Sequence, residues 1–327
     1  MRPRVFITQP IHPSAIERLQ AFAEVEWNRD PLRIPGKKEL LEAVRRCDIL
    51  FCLLQDHVDA QVIAANPGLR AIASMTITPA DIDTAAASAL GIPVTVLPAA
   101  LLNDATADLA WALIFAVARR VAEGDRLMRS GVFPGSQSPY MEGAGVSRKT
   151  LGLIGMGGVG RAAAERARGF SMRVLYSDPQ RIPAADEAAL GLTWTSLDQL
   201  LAQSDFVSLH ARLTPETRHL IGERELSLMK KSAYLINSAR GPLIDEEALV
   251  RALEERRIAG AGLDVFEHEP RPHPRLLEMP NVVMTPHVGS AVGELRAAMA
   301  NVVVDNILAV TEGRQPPNCW NREIYDR

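Results

Sequence analysis

Cysteine is scarce in this sequence, since the 327 residues include only Cys47, Cys52 and Cys319. Three cysteines, without the paired spacing of a zinc site, argue against a disulfide framework and against a structural metal. We therefore expect no metal centre and a reducing compartment, the cytoplasm. The opening residues MRPRVFITQP lack the apolar run of a secretory signal, which fits that expectation.

A surplus of charge of one sign is also missing. Lysine and arginine number 36 against 39 acidic residues, which leaves a net charge of -3. Without a basic surface, we expect no binding to nucleic acid or to anionic membranes. The most apolar stretch, residues 109–118, is shorter than the ~20 residues of a membrane span. It predicts a buried helix that Asn103 or Asp104 would cap.

Short apolar runs alternate with helical segments along the chain. Before residue 100 the strand-like runs are RVFIT, DILFCLL, LRAIA and IPVTV, and a second series of six begins at Leu151. This alternation predicts parallel sheets with helices on both faces. Because the chain is long for one hydrophobic core, the predicted fold is α/β with two doubly wound domains.

A glycine-rich turn, GMGGVG at residues 155–160, follows the first strand of the second series and opens a helix. Gly155, Gly157 and Gly160 match the pattern G-x-G-x-x-G. In that pattern the glycines allow a sharp turn, close approach of a diphosphate and tight helix packing. Gly158 and Val159 complete the turn at the helix N-terminus, where free N–H groups attract phosphate. The turn therefore predicts a dinucleotide site.

Asp178 ends the next predicted strand, near the offset at which an acid binds the ribose hydroxyls of a dinucleotide. A carboxylate there repels a 2′-phosphate, so NAD is favoured over NADP. Arg181 and Arg212 would soften that preference if they faced the phosphate, and NADP stays open as the alternative. The predicted cofactor-binding residues are Gly155, Gly157, Gly158, Val159, Gly160, Asp178, His210 and Asp264.

Polar residues also follow three later strands. Arg240 lies in LINSARGPLIDEEAL, Glu267 and Glu269 lie in GLDVFEHEP, and His287 lies in NVVMTPHVGS. Parallel strands bring their carboxyl ends to one edge, where α/β sheets bind ligands. Histidine can exchange a proton with a carbinol or carbonyl oxygen, and arginine can hold a carboxylate with two hydrogen bonds. The set predicts carbinol and carbonyl chemistry beside the dinucleotide.

These segments, with TADLAWALIFAVARR, KTLGLIGMGGVGR and LTPETRHLIG, make the chain similar to the D-isomer-specific 2-hydroxyacid dehydrogenases over essentially its whole length. The resemblance implies that Arg240, Glu269 and His287 are catalytic. It also implies that Glu267 is a solvated acid.

The resemblance further implies a domain arrangement. A Rossmann NAD-binding domain, residues 101–288, would be inserted in a flavodoxin-like substrate-binding domain of residues 1–100 and 289–327. Family members usually form homodimers through the cofactor domain, and we expect a homodimer here.

The stretch SMTITPADID, residues 74–83, departs from the family pattern. Family members usually carry a glycine-rich loop here, whose N–H groups hold the substrate carboxylate. This sequence has Thr78 where glycine is expected and Ala80 where an acid is common. One alternative is that Ser74 and Thr78 only cap the following helix.

The other alternative is that the loop still binds substrate and that its hydroxyls select a hydroxylated 2-keto acid. The predicted substrate-binding residues are Thr76, Ile77, Thr78 and Arg240. The loop has no lysine, since none lies between Lys38 and Lys149, and this disfavours phosphite oxidation on the same scaffold.

The predicted activity is hydride transfer between a nicotinamide cofactor and a small D-2-hydroxy acid or 2-keto acid. Reduction of glyoxylate, hydroxypyruvate or a sugar-derived 2-keto acid is favoured. Phosphite oxidation and a dinucleotide-sensing, corepressor-like role are the alternatives, because function does not follow from fold alone.

Overall fold

A computed structural model describes residues 2–79 and 81–326. The chain divides into two units. The first extends up to residue 101 and resumes at residue 291, and the second comprises residues 102–290. Each unit contains one sheet whose named strands pair in parallel, so the predicted α/β class is confirmed.

The first unit begins with five strands and four helices. Its sheet has the order β2-β1-β3-β4-β5, which is the flavodoxin-like order. Strand β2, with the sequence EVEW, was missed by the sequence analysis because it has no apolar run and none of its four residues is buried. In chain order the elements are β1 (Arg4–Ile7), α1 (Pro13–Phe22), β2 (Glu24–Trp27), α2 (Lys37–Val44), β3 (Ile49–Cys52), α3 (Ala60–Ala64), β4 (Ala71–Ser74), α4 (Thr84–Ala89) and β5 (Val94–Thr95).

Helix α4 begins at an aspartate cap. The Asp83 side chain accepts a hydrogen bond from the N–H of Ala86 at 2.9 Å, which satisfies one of the free donors of the first turn. Ser74 and Thr78 therefore do not cap this helix, and that alternative was wrong.

The second unit contains seven strands and seven helices. Its sheet has the order β12-β11-β10-β9-β6-β7-β8, which is the Rossmann order with one added strand. In chain order the elements are α5 (Asn103–Ala118), α6 (Val121–Arg129), β6 (Thr150–Ile154), α7 (Gly158–Ala167), β7 (Arg173–Ser177), α8 (Ala184–Leu190), β8 (Leu192–Trp194), α9 (Leu197–Gln203), β9 (Phe206–Leu209), α10 (Glu223–Leu228), β10 (Tyr234–Asn237), α11 (Glu246–Glu254), β11 (Gly260–Leu263) and β12 (Val282–Met284).

Strand β8 was not among the six strands expected for this series. Only Leu192 of its three residues is buried, so it lacks the apolar run by which the other strands were recognised.

Side chains of the seven-stranded sheet enter hydrophobic cores on both faces. Along β6, Leu151 and Leu153 pack with α5 and α7, whereas Ile154 joins the core formed with α9, α10 and α11. This alternation follows from the period of two in a strand. It explains why the strands read as continuous apolar runs.

Helix α5 is a core element of the second unit. The stretch Ala99–Ala118 is long and apolar enough to cross a membrane by length and composition. In the unit, however, α5 packs against β10, β11 and α7, and the indole N–H of Trp111 donates to the carbonyl of Ala163 at 3.0 Å. Its cap position is Leu102, so the predicted capping by Asn103 or Asp104 was wrong.

The C-terminal part of the chain returns to the first unit. Helix α12 (Gly293–Thr311) packs on α1 and β4, and Arg18 binds Asp305 at 2.6 Å. Beyond it, the side chain of Asn321 accepts the N–H of Val94 at 2.8 Å and donates to the carbonyl of Ile92 at 2.9 Å. The C-terminal segment thus closes the edge of the sheet at β5.

Candidate active site

The glycine-rich turn joins β6 to α7 and leaves no room for side chains at two positions. Gly155 has a φ of 95°, and a Cβ there would lie 2.6 Å from the N of Ala211. A Cβ on Gly160 would lie 2.2 Å from the carbonyl oxygen of Gly155. At Gly157 a Cβ would meet no atom of the described residues within 4 Å. The open side of the turn therefore has space for a diphosphate close to the backbone.

Gly158 and Val159 lie in the first turn of α7. A Cβ on Gly158 would lie 2.2 Å from the side-chain nitrogen of Asn103, so this glycine permits close packing on α5. Val159 packs against the core shared by α5 and α7. Their N–H groups lie at the positive end of a ten-residue helix, where a negative charge is stabilised.

Asp178 follows β7 directly, beside the glycine-rich turn. Its Oδ2 accepts the N–H of Met156 at 2.8 Å, and its Oδ1 accepts the N–H of Gln180 at 2.9 Å. These bonds hold the carboxylate at the end of β7, next to the turn.

Arg181 does not lie free near Asp178. Its guanidinium donates two hydrogen bonds of 2.8 Å to Glu187, whose carboxylate also accepts the hydroxyl of Tyr176 at 2.7 Å. These bonds lower the pKa of Glu187 to about 2. The positive charge of Arg181 is therefore paired with the carboxylate of Glu187 on α8. Arg212, the other cation considered, is exposed.

Two unpaired polar atoms lie at the ends of adjacent strands. His210 follows β9, and its Nε2 lies 3.0 Å from the hydroxyl of Ser208. Its Nδ1 and the hydroxyl of Ser238, which follows β10, are buried without a partner in the part of the chain that the structure describes. Burial lowers the pKa of His210 to about 4, so the ring is neutral at neutral pH. Buried unpaired polar atoms call for a partner such as a ligand or a water.

His210 was among the predicted cofactor-binding residues, whereas Ser238 was not. The available signal was its position, because it is a polar residue that directly ends an apolar strand.

Arg240 lies in the turn after β10. The side chain of Asn237, which is fully buried, accepts the N–H of Ala239 at 3.0 Å and donates to the carbonyl of Arg240 at 2.9 Å. Burial lowers the pKa of Arg240 below its ordinary value, and the negative charge of Glu269 offsets only part of that effect. The arginine therefore stands in the electrostatic field of the predicted catalytic acid.

Glu269 and His287 form a direct pair. Oε2 of Glu269 lies 2.8 Å from Nδ1 of His287, and Oε1 accepts the N–H of Phe266 at 3.2 Å. The two side chains are 22% and 26% exposed. A carboxylate on Nδ1 fixes the orientation of the imidazole and leaves Nε2 as the nitrogen that can exchange a proton. The structure thus brings together two residues that lie 18 positions apart.

Asp264 supports the turn that carries His287. Its carboxylate accepts hydrogen bonds from the hydroxyl of Thr285 at 2.6 Å and from the N–H groups of Val288 and Gly289 at 2.8 and 2.9 Å. His287 has a φ of 53°, in the left-handed region, and these bonds hold that conformation. Asp264 thus fixes the turn that carries His287, and its role in cofactor binding stays a prediction.

Glu267 is not a solvated acid, so that prediction was wrong. Its side chain is only 9% exposed, because Arg218 and His219 reach it from a loop that follows β9. Burial raises the pKa of Glu267, but the bonds from His219 and the N–H of Glu246 outweigh burial, and the pKa is lowered.

The loop predicted to bind substrate follows β4 in the first unit. The hydroxyls of Ser74 and Thr76 lie 2.6 Å apart, and Thr76 donates to the carbonyl of Thr78 at 2.5 Å. The single proton of the Thr76 hydroxyl is therefore used inside the loop. Ile77 is partly exposed and Thr78 is exposed. Ala80, where the sequence also departs from the family pattern, lies outside the described residues.

Among the described residues, no group of three or more histidine, cysteine, aspartate or glutamate side chains has a geometry that could hold a metal ion.

Comparison with known proteins identifies relatives of the whole chain. A family model described as D-isomer specific 2-hydroxyacid dehydrogenase, NAD binding domain, matches residues 111–289. A glyoxylate reductase of Thermococcus litoralis is 45% identical over 99% of this chain and 98% of its own length. A glyoxylate reductase of Korarchaeum cryptofilum is 45% identical over 99% and 97%.

Solved structures agree with these relatives. A protein of Thermus thermophilus superposes with a TM-score of 0.90 at 42% identity, over 97% of this chain and 99% of its own. The NADPH-dependent glyoxylate/hydroxypyruvate reductase of Sinorhizobium meliloti, in complex with NADP and malonate, gives a TM-score of 0.80 at 29% identity, over 98% and 97%.

Proposed function

Because this chain belongs to the family of D-isomer-specific 2-hydroxyacid dehydrogenases, we propose that it reduces glyoxylate and hydroxypyruvate to the corresponding 2-hydroxy acids. The observation that carries the proposal is the pairing of Glu269 with His287 at 2.8 Å, in the electrostatic field of Arg240. The names of the similar reductases support this choice of substrates.

Each member of the proposed catalytic trio has a distinct role. His287 donates a proton from Nε2 to the carbonyl oxygen of the keto acid during reduction and takes it back during oxidation. Glu269 holds Nδ1 and stabilises the imidazolium. Arg240 binds the substrate carboxylate or polarises the carbonyl.

The cofactor is NAD(P), whose nicotinamide supplies the hydride when bound. The open side of Gly157, the N-terminus of α7 and the unpaired Nδ1 of His210 fit a dinucleotide. We propose that NAD is preferred, because the Asp178 carboxylate at the end of β7 would repel a 2′-phosphate. Arg181 does not offset that repulsion, since Glu187 binds it.

We also propose which part of the chain binds the cofactor and which part binds the substrate. Residues 101–288 would bind the cofactor, and residues 1–100 with 289–327 would bind the substrate through Thr76, Ile77 and Thr78. Arg240, which belongs to residues 101–288, is also proposed as a substrate-binding residue. Of the loop hydroxyls, that of Thr78 is the one we propose for contact with a hydroxylated substrate, since the proton of Thr76 is already used.

A homodimer of the cytoplasm is proposed as the working form. The buried face of α5 is already covered by its own sheet, so a partner would cover the apolar side chains exposed on α6 and after it. Met128, Val132 and Phe133 are 58%, 50% and 65% exposed. The three cysteines are buried as free thiols, which suits a reducing compartment.

The proposed activity is tested by NADH oxidation with the purified protein on glyoxylate, pyruvate and hydroxypyruvate, repeated with NADPH. We expect turnover with NADH, faster on glyoxylate or hydroxypyruvate than on pyruvate. Binding of NADH without turnover of any keto acid would contradict the proposal and would favour a dinucleotide-sensing role.

A further inference from the structure

We propose that Glu246 and Glu267, here called the carboxylate pair, are positioning residues that set the placement of Arg240 relative to Glu269. The inference rests on the proposed function. It concerns two segments that follow neighbouring strands of the second unit's sheet. They are the arginine loop, residues 238–245, which follows β10, and the glutamate loop, residues 264–273, which follows β11.

Glu246 holds the glutamate loop at two points. Its Oε2 accepts the N–H of Glu267 at 2.7 Å, and its Oε1 accepts the N–H of His273 at 2.5 Å. Glu269 lies between these two anchored residues. Glu246 is only 8% exposed, so its two bonds are shielded from water. One buried carboxylate therefore fixes both ends of the segment that carries the catalytic acid.

Glu267 makes the reciprocal bond. Its Oε2 accepts the N–H of Glu246 at 3.3 Å, while its Oε1 accepts a bond from Arg218 at 2.8 Å and lies 2.6 Å from Nε2 of His219. The N–H of His219 in turn donates to the carbonyl of Pro242 in the arginine loop at 2.8 Å. Glu267 thus connects the glutamate loop to Glu246 at the start of α11 and, through His219, to the arginine loop.

The two loops also touch directly through their backbones. A Cβ on Gly241, the residue after Arg240, would lie 1.8 Å from the carbonyl oxygen of Phe266. At such close contact, a small shift of the glutamate loop changes the position of Arg240 as well as that of Glu269. Because the carboxylate pair fixes the glutamate loop at this contact, it sets the positions of both Arg240 and Glu269.

The chemistry of the pair explains the choice of glutamate. An ionised carboxylate only accepts hydrogen bonds, and Glu246 faces a donor with each oxygen. A glutamine at position 246 would satisfy one N–H and place its own amide donor against the other, in either orientation. Glu246→Gln is therefore nearly isosteric but cannot make both bonds.

The chain offers a matched control on the same turn of α11. Glu247 follows Glu246, but its side chain is 68% exposed and contacts the imidazole of His273 at 3.0 Å. Glu247→Gln removes the same charge without removing a bond to the backbone of the glutamate loop.

Steady-state reduction of glyoxylate by full-length wild type, Glu246→Gln and Glu247→Gln is the test. We expect Glu246→Gln to lower kcat about 10- to 100-fold, because a misplacement of about 1 Å near the reacting groups has effects of this size. The Kd for NADH should stay within about twofold of wild type, and Glu247→Gln should match wild type in both quantities.

A pH profile separates positioning from a merely structural role. In Glu246→Gln, the pH at which the reductive kcat falls to half should move toward the value found for Glu269→Gln, and Glu247→Gln should not move it. If Glu246→Gln does not fold, Glu267→Gln breaks the other half of the pair and is measured in its place.

Wild-type kcat and an unchanged pH profile in a folded Glu246→Gln or Glu267→Gln protein would overturn the inference and leave the proposed function intact. Inactivity of the wild type on every keto acid would instead remove the proposed function, and the inference with it.

Discussion

Oε2 of Glu269 lies 2.8 Å from Nδ1 of His287, while the carboxylate of Asp264 binds the N–H groups of the two residues that follow this histidine. One acid therefore orients the imidazole ring, and another orients the backbone that carries it. The arrangement leaves Nε2 as the ring nitrogen available to a substrate. Nε2 is therefore the atom at which His287 would exchange a proton with the substrate oxygen.

Replacement of the histidine should abolish proton transfer without affecting cofactor binding. We expect His287→Asn to lower kcat for glyoxylate reduction by about 10² to 10⁴-fold, the usual contribution of a general acid. The Kd for NADH, measured by fluorescence, should remain near that of wild type. A kcat within a few fold of wild type would show that another group supplies the proton.

The two directions of the reaction should respond oppositely to pH. Reduction needs protonated His287 and oxidation needs the neutral form, so reductive rates should fall with rising pH and oxidative rates should climb. Initial rates in both directions, in wild type and Glu269→Gln, provide the measurement. Identical profiles in the two proteins would argue against the pairing of Glu269 with His287.

Cofactor preference should depend on Asp178 and little on Arg181. We expect wild type to favour NADH over NADPH by roughly tenfold or more in kcat/KM, and Asp178→Asn to reduce that ratio because it removes the repelling charge. Arg181→Gln is the control, since this side chain is bound to Glu187. A ratio unchanged by Asp178→Asn would place the selectivity elsewhere.

Glu187 should contribute to stability at neutral pH and lose that contribution in acid. Its pKa in the folded chain, about 2, lies below the ordinary value of 4.5 because Arg181 and Tyr176 bind the carboxylate. The unfolded chain therefore binds more protons between about pH 5 and pH 2, so stability falls as the pH is lowered through that window.

Urea unfolding from about pH 7 to about pH 3 should show the loss in wild type and a smaller loss in Glu187→Gln. Parallel curves for the two proteins would contradict the assignment.

The two loop threonines should have different effects. Thr76→Val removes the bond to the carbonyl of Thr78 and should weaken binding of every keto acid, seen as a raised KM. Thr78→Val should lower kcat/KM for hydroxypyruvate relative to glyoxylate by about 3- to 10-fold, the effect of one hydrogen bond. An unchanged ratio in Thr78→Val would exclude its hydroxyl from substrate selection.

The sequence was sufficient wherever the physical signal is local. Apolar runs with turn residues between them predicted most strands, and the strand-turn-helix context of GMGGVG predicted the dinucleotide turn. Strands β2 and β8 were not predicted, because edge strands with few buried residues have no apolar run. Capping of α4 was also misjudged, since Asp83 lies closer to the helix start than either hydroxyl considered.

The partners of the charged side chains depend on the folded arrangement of the strands. The α/β alternation and the glycine turn could be predicted from residues close together in the chain, because both signals are local, whereas Arg240, Glu269 and His287 were predicted to be catalytic from the family resemblance. Glu267 was expected in solvent, but Arg218 and His219, which lie 49 and 48 residues away, bury and bind it. Such pairings depend on which strand ends become neighbours in the folded sheet, and only the folded chain brings them within hydrogen-bonding distance.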